Sequence, residues 1–417
     1  MGDISQINDV AAANISEVND VAKANISEIN DQGVPASGAT RWVVGIHEGH
    51  VAYAANSDLT SWTSYSSTGN SNTAYDIGFG KDNSGNGIYI VTRNHDHREL
   101  EVSGTDVTST NHWTEVDLSP DLTSDGHTRQ QYVIMWGARA DGTAAGTWMS
   151  AGKQKGQRIH RSTDGGANWT NIDLSGISNH DANRGIQSMA SDGQGNWAFA
   201  QENRWYYSTD DGASFSATTP VTESGKIPGQ SRGVVYTNNS WVWIYSRSSQ
   251  IYVRSCAASD ITDWGDETRP QLTYNKLTTD GSGTITDTLH PLNPSNTDEQ
   301  RASVCAANGR VCLATTNDQE IFYFDVDGKT ISNLNGKKFG PHSSQNYAGV
   351  TNFDTSDTMQ DIATDGTTWI VVCKDGDAFK STDNAVSWSS IVTGFDGGDV
   401  NAGDDWKAIT CDVVLPL

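Results

Sequence analysis

The sequence predicts an all-β fold, in which seven four-stranded units close into a ring through the last strand of the chain. Three observations carry that prediction. One phrase recurs as Ser162-Thr163-Asp164-Gly165-Gly166-Ala167-Asn168-Trp169, as Ser208-Thr209-Asp210-Asp211-Gly212-Ala213-Ser214-Phe215 and as Ser381-Thr382-Asp383-Asn384-Ala385-Val386-Ser387-Trp388. The phrase sits inside a longer unit that repeats along most of the 417 residues. Finally, the two ends of the repeat region complement each other.

Each phrase separates two stretches of alternating apolar and polar residues, which is how a turn between two strands reads. Ser and Asp side chains can bond back to the backbone of their own turn, Gly can take positive φ, and an aromatic residue can anchor the hairpin in apolar packing. Ahead of each turn lies a first strand of the form apolar-x-apolar, at 76–79, 131–134, 185–190, 233–236, 302–306 and 361–364. A second strand follows it, rich in Trp or β-branched residues, at 88–91, 148–150, 197–200, 241–245, 311–314 and 369–373. A third strand then leads into the turn. Worn versions of the turn stand at Ser57-Asp58 before Trp62, at Ser103 and Asp106 before Trp113, at Ser259-Asp260 before Trp264, and at Asp325-Val326-Asp327-Gly328.

These units run to roughly 45–60 residues, the size of a propeller blade. Arg41-Trp42-Val43-Val44-Gly45 reads as a second strand with no first strand ahead of it, and 406–412 reads as a first strand with no unit behind it. Joining the two completes a first blade and removes an exposed sheet edge. The expected architecture is a seven-bladed β-propeller over 41–417.

The Ser-x-Asp-x-Gly-x-x-Trp phrase resembles the Asp-box (sialidase-type) repeat of sialidases, sortilin-like receptors, some xyloglucanases and a photosystem-assembly propeller. The resemblance implies a propeller with the box at the turn between third and fourth strands. On that reading Ser162, Asp164, Gly166, Trp169, Ser208, Asp210, Gly212, Phe215, Ser381, Asp383 and Trp388 are structural residues. Phe215 stands where the pattern has Trp, and Ala385 where it has Gly. The resemblance fixes no function, because folds and functions separate readily.

Residues 1–33 are of a different kind. Between 4 and 31 the sequence repeats every eleven residues: Ile4-Ser5-Gln6-Ile7-Asn8-Asp9-Val10, then Ile15-Ser16-Glu17-Val18-Asn19-Asp20-Val21, then Ile26-Ser27-Glu28-Ile29-Asn30-Asp31. At about 100° per residue, Ile4, Ile7, Val10, Ile15, Val18, Val21, Ile26 and Ile29 fall on one stripe. The expectation is an amphipathic α-helix whose eleven-residue period favours straight or slightly right-handed bundling. Such a stripe needs sister copies, a homotrimer for instance, or a docking groove. Residues 34–40 read as a linker. The segment has no basic start and no continuous apolar core, so no signal peptide is expected. It also resembles repeated stretches near the starts of structural and tail proteins of marine bacteriophages, particularly those of cyanobacteria. That resemblance implies a virion component, attached to other virion proteins through the helix and displaying the propeller.

Lys plus Arg total 27 against 51 for Asp plus Glu, a net charge of −24. So acidic a chain is not expected to bind nucleic acid through its phosphates, which needs clustered cations. No apolar run approaches a membrane span, so no membrane insertion is expected. The five cysteines, Cys256, Cys305, Cys312, Cys373 and Cys411, show neither zinc-site nor redox-pair spacing and are expected as buried free thiols.

Catalytic signals are thin. Sialidase chemistry would want an Arg-Ile-Pro-like motif, and the nearest phrase is Lys226-Ile227-Pro228-Gly229. Lys cannot copy the bidentate grip of Arg on a carboxylate. A glycosidase needs two carboxylates at a set separation, and Asp96, Asp181 and Asp361 read more simply as turn residues or strand-end caps. His95-Asp96-His97 has metal-ligand residue types but no visible third ligand, and Asp325-Val326-Asp327-Gly328 lacks the remaining oxygens of a calcium loop. The acidic, Gly-rich stretch 396–405 reads as a solvated connection. No metal and no cofactor is expected. Insertions at 138–156, 273–297 and 333–356 are the better places to seek recognition, since binding surfaces ride on loops of a rigid scaffold. The candidate residues there are Tyr274, His290, Phe339, His342 and Tyr347. The expected function is that of a non-enzymatic virion protein of tail, fibre or surface appendage, touching a host-surface glycan or protein. A glycan-degrading hydrolase and a cellular assembly factor are the alternatives.

Overall fold

The computed structural model describes residues 17–18, 21–22, 28–29, 32–33, 40–46, 49–66, 73–93, 99–104, 107–108, 112–118, 131–152, 158–177, 185–186, 188–201, 204–218, 230–247, 250–268, 271–275, 284–288, 303–314, 320–338, 358–374, 376–392 and 406–415. Residues 38–415 with Leu417 form one compact unit, and 1–37 with Pro416 form another.

The larger unit is a seven-bladed β-propeller. Its first blade runs, in sheet order, Trp406–Cys411, Arg41–Ile46, His50–Ala55, Thr63–Ser66, so the end of the chain does supply the innermost strand. The second comprises Ala74–Lys81, Gly87–Arg93, Glu99–Ser103 and Trp113–Asp117, and the third Gln131–Gly137, Thr147–Gly152, Arg158–Ser162 and Thr170–Asp173. Met189–Ser191, Trp197–Gln201, Arg204–Ser208 and Ser216–Thr218 make the fourth. The fifth holds Gln230–Thr237, Ser240–Arg247 and Gln250–Ala257. The sixth is Ser303–Ala307, Arg310–Ala314, Glu320–Asp327 and Thr330–Lys338, and the seventh Met359–Thr364, Trp369–Cys373, Ala378–Ser381 and Ser389–Val392. Each first strand lies against the first strand of the next blade, and the series returns to its start. All pairing within blades is antiparallel, as short turns allow.

Packing shows the same closure independently. The apolar core falls into seven clusters, one across each seam between neighbouring blades. The seam between blades five and six joins Val242, Ile244 and Val253 to Val311, Leu313 and Phe322, for example. Burying one such side chain contributes about 1.5–3 kcal/mol, against about 1 kcal/mol for a typical hydrogen bond, so seams hold the ring and turns specify it. Second strands lie between neighbours on both faces. Trp197–Gln201, Arg310–Ala314 and Trp369–Cys373 are buried at every residue, whereas the outer Thr170–Asp173 is half-exposed to exposed.

The structure corrects several expectations. Among the described residues blade five has three strands rather than four, and an isolated bridge from Val253 to Thr268 stands in the fourth place. The Gly265 N–H bonds Ser255 O at 2.8 Å and continues that edge, so irregular chain satisfies the third strand there. Parts of the three expected insertions are strand: Thr147–Gly152 inside 138–156, most of Gln271–Asn275 and all of Thr284–Thr288 inside 273–297, and 333–338 as the end of Thr330–Lys338. Of the cysteines, Cys305 is half-buried rather than buried, and all five are free thiols.

In the smaller unit the described backbone consists of two short antiparallel pairs, Glu17–Val18 with Val21–Ala22 and Glu28–Ile29 with Gln32–Gly33. Val18, Val21 and Ile29 fall on these pairs, and Ile4, Ile7, Val10, Ile15 and Ile26 lie outside the described residues. The described residues therefore contain no part of the expected helix. No described helix is long and apolar enough to cross a membrane.

Candidate functional site

Antiparallel blades divide the connections between two faces of the ring. First-to-second and third-to-fourth turns lie on one face; second-to-third turns and the connections between blades lie on the other.

The turn face is built from side-chain oxygens. In each of the three repeated phrases the Ser hydroxyl bonds its Asp carboxylate at 2.7 Å, from Ser162 to Asp164, Ser208 to Asp210 and Ser381 to Asp383. The same hydroxyl accepts the N–H four residues on, that of Gly166 (3.0 Å), Gly212 (2.9 Å) or Ala385 (3.0 Å). The Asp then accepts the N–H of Asn168, Ser214 or Ser387 at 2.8–2.9 Å. Burial alone would raise these carboxyls, but the bonds they receive outweigh it and hold Asp164, Asp210 and Asp383 below the ordinary Asp range. Trp169 and Trp388 close their turns by donating to the carbonyl three residues back, at 2.9 and 3.1 Å. Phe215 has no such donor and packs edge-on against Phe199 instead.

Two of the worn turns keep half of this chemistry. In Asp58-Leu59-Thr60-Ser61-Trp62 and Asp260-Ile261-Thr262-Asp263-Trp264 the Asp accepts the Thr N–H and hydroxyl, and the Trp donates to the carbonyl three residues back at 2.8 Å. Ser103 behaves differently from expectation: its hydroxyl accepts the Tyr89 N–H across the sheet at 2.7 Å.

Sequence reasoning missed two further devices on this face. Asp82 and Asp192 each grip an Asn four residues on, Asn86 and Asn196, in first-to-second-strand turns. The recurring Asp-x-x-Gly-Asn spelling was their visible signal. In addition, Arg161 and Arg310 each reach into the following blade to cap a carbonyl, that of Asp211 and Asn384, at 2.8 Å. Both capped residues have left-handed backbones, φ 56° and 61°.

On the opposite face the first strands begin with a bulge. The register skips Tyr75, Tyr132, Arg232, Gln360 and Lys407, one near the start of each of five first strands. A bulge leaves ladder positions unpaired, and in four blades the N–H two residues further on is taken by the preceding blade. Ile134 donates to Asp76 (2.9 Å), Val234 to Ser188 (3.0 Å), Ile362 to Ser303 (2.7 Å) and Ile409 to Asp361 (2.9 Å). Asp361 also accepts the Ser303 hydroxyl, so this candidate carboxylate ties three blades together. The Arg93–Glu101 ion pair (2.7 Å, each 1% exposed) lies nearby at the end of a second strand.

Other candidate residues are not brought together. Tyr274 lies on Gln271–Asn275, while His290, Phe339, His342 and Tyr347 lie outside the described residues, as do His95, Asp96, His97, Asp181, Lys226 and the stretch 396–405. Asp325 is committed to Arg310 and Asn333; burial would raise its carboxyl, and these two partners lower it. Among the described residues no three His, Cys, Asp or Glu side chains converge as a metal site would require.

No family model matches the chain, and no curated protein sequence matches it. Among solved structures it is similar to YCF48 bound to D1 peptide, at 10% identity and a TM-score of 0.48, covering 83% of this chain and 94% of that one. A Lactobacillus plantarum protein gives 10% identity and 0.47, covering 89% and 98%, and an ancestral GH74 enzyme gives 14% and 0.44, covering 89% and 57%. At such scores the architecture rests on this chain's own strand pairing and seams.

Proposed function

We propose that the chain is a non-enzymatic display protein of a bacteriophage particle: an Asp-box-type propeller whose bulge-bearing face meets a host-surface glycan or protein. The observation that carries this reading is the division of the ring into two faces. Side-chain oxygens at the inner strand starts, including Asp76 and Asp361, are occupied with backbone N–H groups of the next blade. Groups so used hold a scaffold still, and recognition then falls to the long connections that begin and end on the same face. The eleven-residue repeat and its likeness to phage structural proteins support attachment through residues 1–33, as a helix formed with sister copies, a trimer for instance, or in a docking groove. Assembly in the host cytoplasm then needs no signal peptide, and the acidic surface suits neither nucleic acid nor an anionic membrane.

The test is a tagged chain in cells producing the particle, in full length and beginning at residue 34. The full chain should co-purify with particles and be seen on them by electron microscopy, and the truncated chain should stay behind. Absence of the full chain from particles, or sugar release from host polysaccharide by the purified chain, would overturn the reading.

A further inference from the structure

The chain contains three Asn-Gly pairs, Asn86-Gly87, Asn308-Gly309 and Asn335-Gly336. All three asparagines are exposed, and the local spelling is the same, but the bonding differs. Asn86 donates its amide nitrogen to Asp82 at 3.0 Å, and its own N–H goes to the same carboxylate at 2.8 Å. Asn308 donates its amide to Gly366 O at 3.0 Å, and the Gly309 N–H is held by the Thr237 hydroxyl at 2.9 Å. Asn335 shows the opposite arrangement. The Gly336 N–H points at the Asn335 side chain itself, donating to its Oδ1 at 2.8 Å.

That contact brings the backbone nitrogen of Gly336 to the oxygen of the Asn335 carboxamide, the atom bonded to its carbonyl carbon. The strand is the last of its sheet, and Gly336, itself buried, stands opposite Phe322 of the third strand. The outer strand is also irregular: its register with the third strand slips around Asn333, whose φ is 49°. We propose that Asn335-Gly336 is a site of self-modification, where Asn335 converts through a cyclic imide to aspartate and its β-linked isomer, while Asn86 and Asn308 are protected by their partners. The Gly336 nitrogen gives its proton to water or hydroxide and bonds to Asn335 Cγ. The Cγ–Nδ2 bond breaks, and the leaving nitrogen takes up a proton and departs as ammonia. Water then opens the imide at either carbonyl. One water is consumed, one ammonia is released, and nothing is oxidised or reduced.

The consequence is local. A new carboxylate appears on the outer edge of blade six, opposite Tyr323, and in the β-linked isomer the outer strand gains one backbone carbon. The inner ladders of that blade are untouched.

The test is peptide mapping by mass spectrometry of the full chain after incubation in mildly alkaline buffer, with fragmentation that locates the converted residue. In the folded chain Asn335 should convert about tenfold faster than Asn86 or Asn308, and in urea the three rates should come together, because only the fold positions the nucleophile. Asp82→Ala should raise the rate at Asn86 in the folded chain. If Asn86 or Asn308 keeps pace with Asn335 in the folded protein, or if Asp82→Ala leaves Asn86 unchanged, the proposal fails.

Discussion

The two faces of the ring solve the same problem with different parts. On the turn face, hairpins are closed by oxygens from their own residues: the Ser hydroxyl and Asp carboxylate of each repeated phrase satisfy N–H groups within four residues. On the opposite face, satisfaction comes from the preceding blade, whose Asp76, Ser188, Ser303 and Asp361 reach across a seam to a bulged strand. The first arrangement is local within the three repeated phrases and repeats in sequence, while Arg161, Asn308 and Arg310 add bonds across seams on the same face. The second is tertiary, and leaves the connecting segments of that face free to differ in length and composition. A scaffold that must stay rigid while presenting variable surface gains from this separation.

Single substitutions distinguish the two faces, and the largest effect is expected on the turn face. A Cβ at Gly212 would lie 1.5 Å from Met149 Cε, on a backbone already at φ 75°. Gly212→Ala should therefore cost about 1–3 kcal/mol, as the Met149 tip must shift within the buried seam, read as a fall in denaturation midpoint. Gly142 has φ 72° but nothing within 4 Å of its Cβ position, so Gly142→Ala should cost only about 1 kcal/mol. Next in size is the seam: Asp361→Ala removes the acceptor of the Ile409 N–H and the Ser303 hydroxyl and should cost about 2 kcal/mol, because two buried donors are orphaned. If it costs no more than an exposed Asp→Ala, the belt between blades is not structural.

Acid should act on the turn face. Asp164, Asp210 and Asp383 bind their protons less tightly folded than unfolded, so they contribute stability that is present above the unfolded Asp value near pH 4 and is lost as pH falls through their lower folded values. Urea midpoints measured downward from pH 5 should fall more steeply for the natural chain than for a triple Asp→Asn variant of these positions. Coincident profiles would remove these carboxylates from the account.

The smallest effect concerns Ala385, which stands at φ 66° where the other two phrases have Gly. Ala385→Gly relieves about 1 kcal/mol of left-handed strain but gives up a fully buried methyl worth about 0.8 kcal/mol, so the midpoint should barely move. The reverse change at Gly166 has no such balance, since its Cβ would meet Ile90 Cδ1 at 2.8 Å.

What was legible in the sequence follows the same division. The blade count, the turn positions and the closing strand at Trp406–Cys411 could be read because local oxygens and alternating strands leave a periodic spelling. The bulges could not be, since one extra residue such as Tyr75 or Lys407 only breaks an alternation that short strands already show weakly. The three-stranded fifth blade was hidden because Ser259-Asp260 before Trp264 spells an ordinary turn, and the replacement of the strand after it by a single bridge at Thr268 depends on tertiary pairing. Asp361 was legible as a strand-end cap, but not as the residue joining three blades. Of the residues put forward for recognition the structure places Tyr274 alone.

The most direct test of the division between faces is a pair of equal Gly/Ser insertions flanking one outer strand, Ser216–Thr218. One goes between Asp210 and Asp211 on the turn face, and the other into the connection between Thr218 and Gln230 on the opposite face. The first should lower the thermal midpoint sharply, while the second should leave it unchanged and alter adsorption of the particle to its host. Equal thermal midpoints for the two insertions would contradict that division.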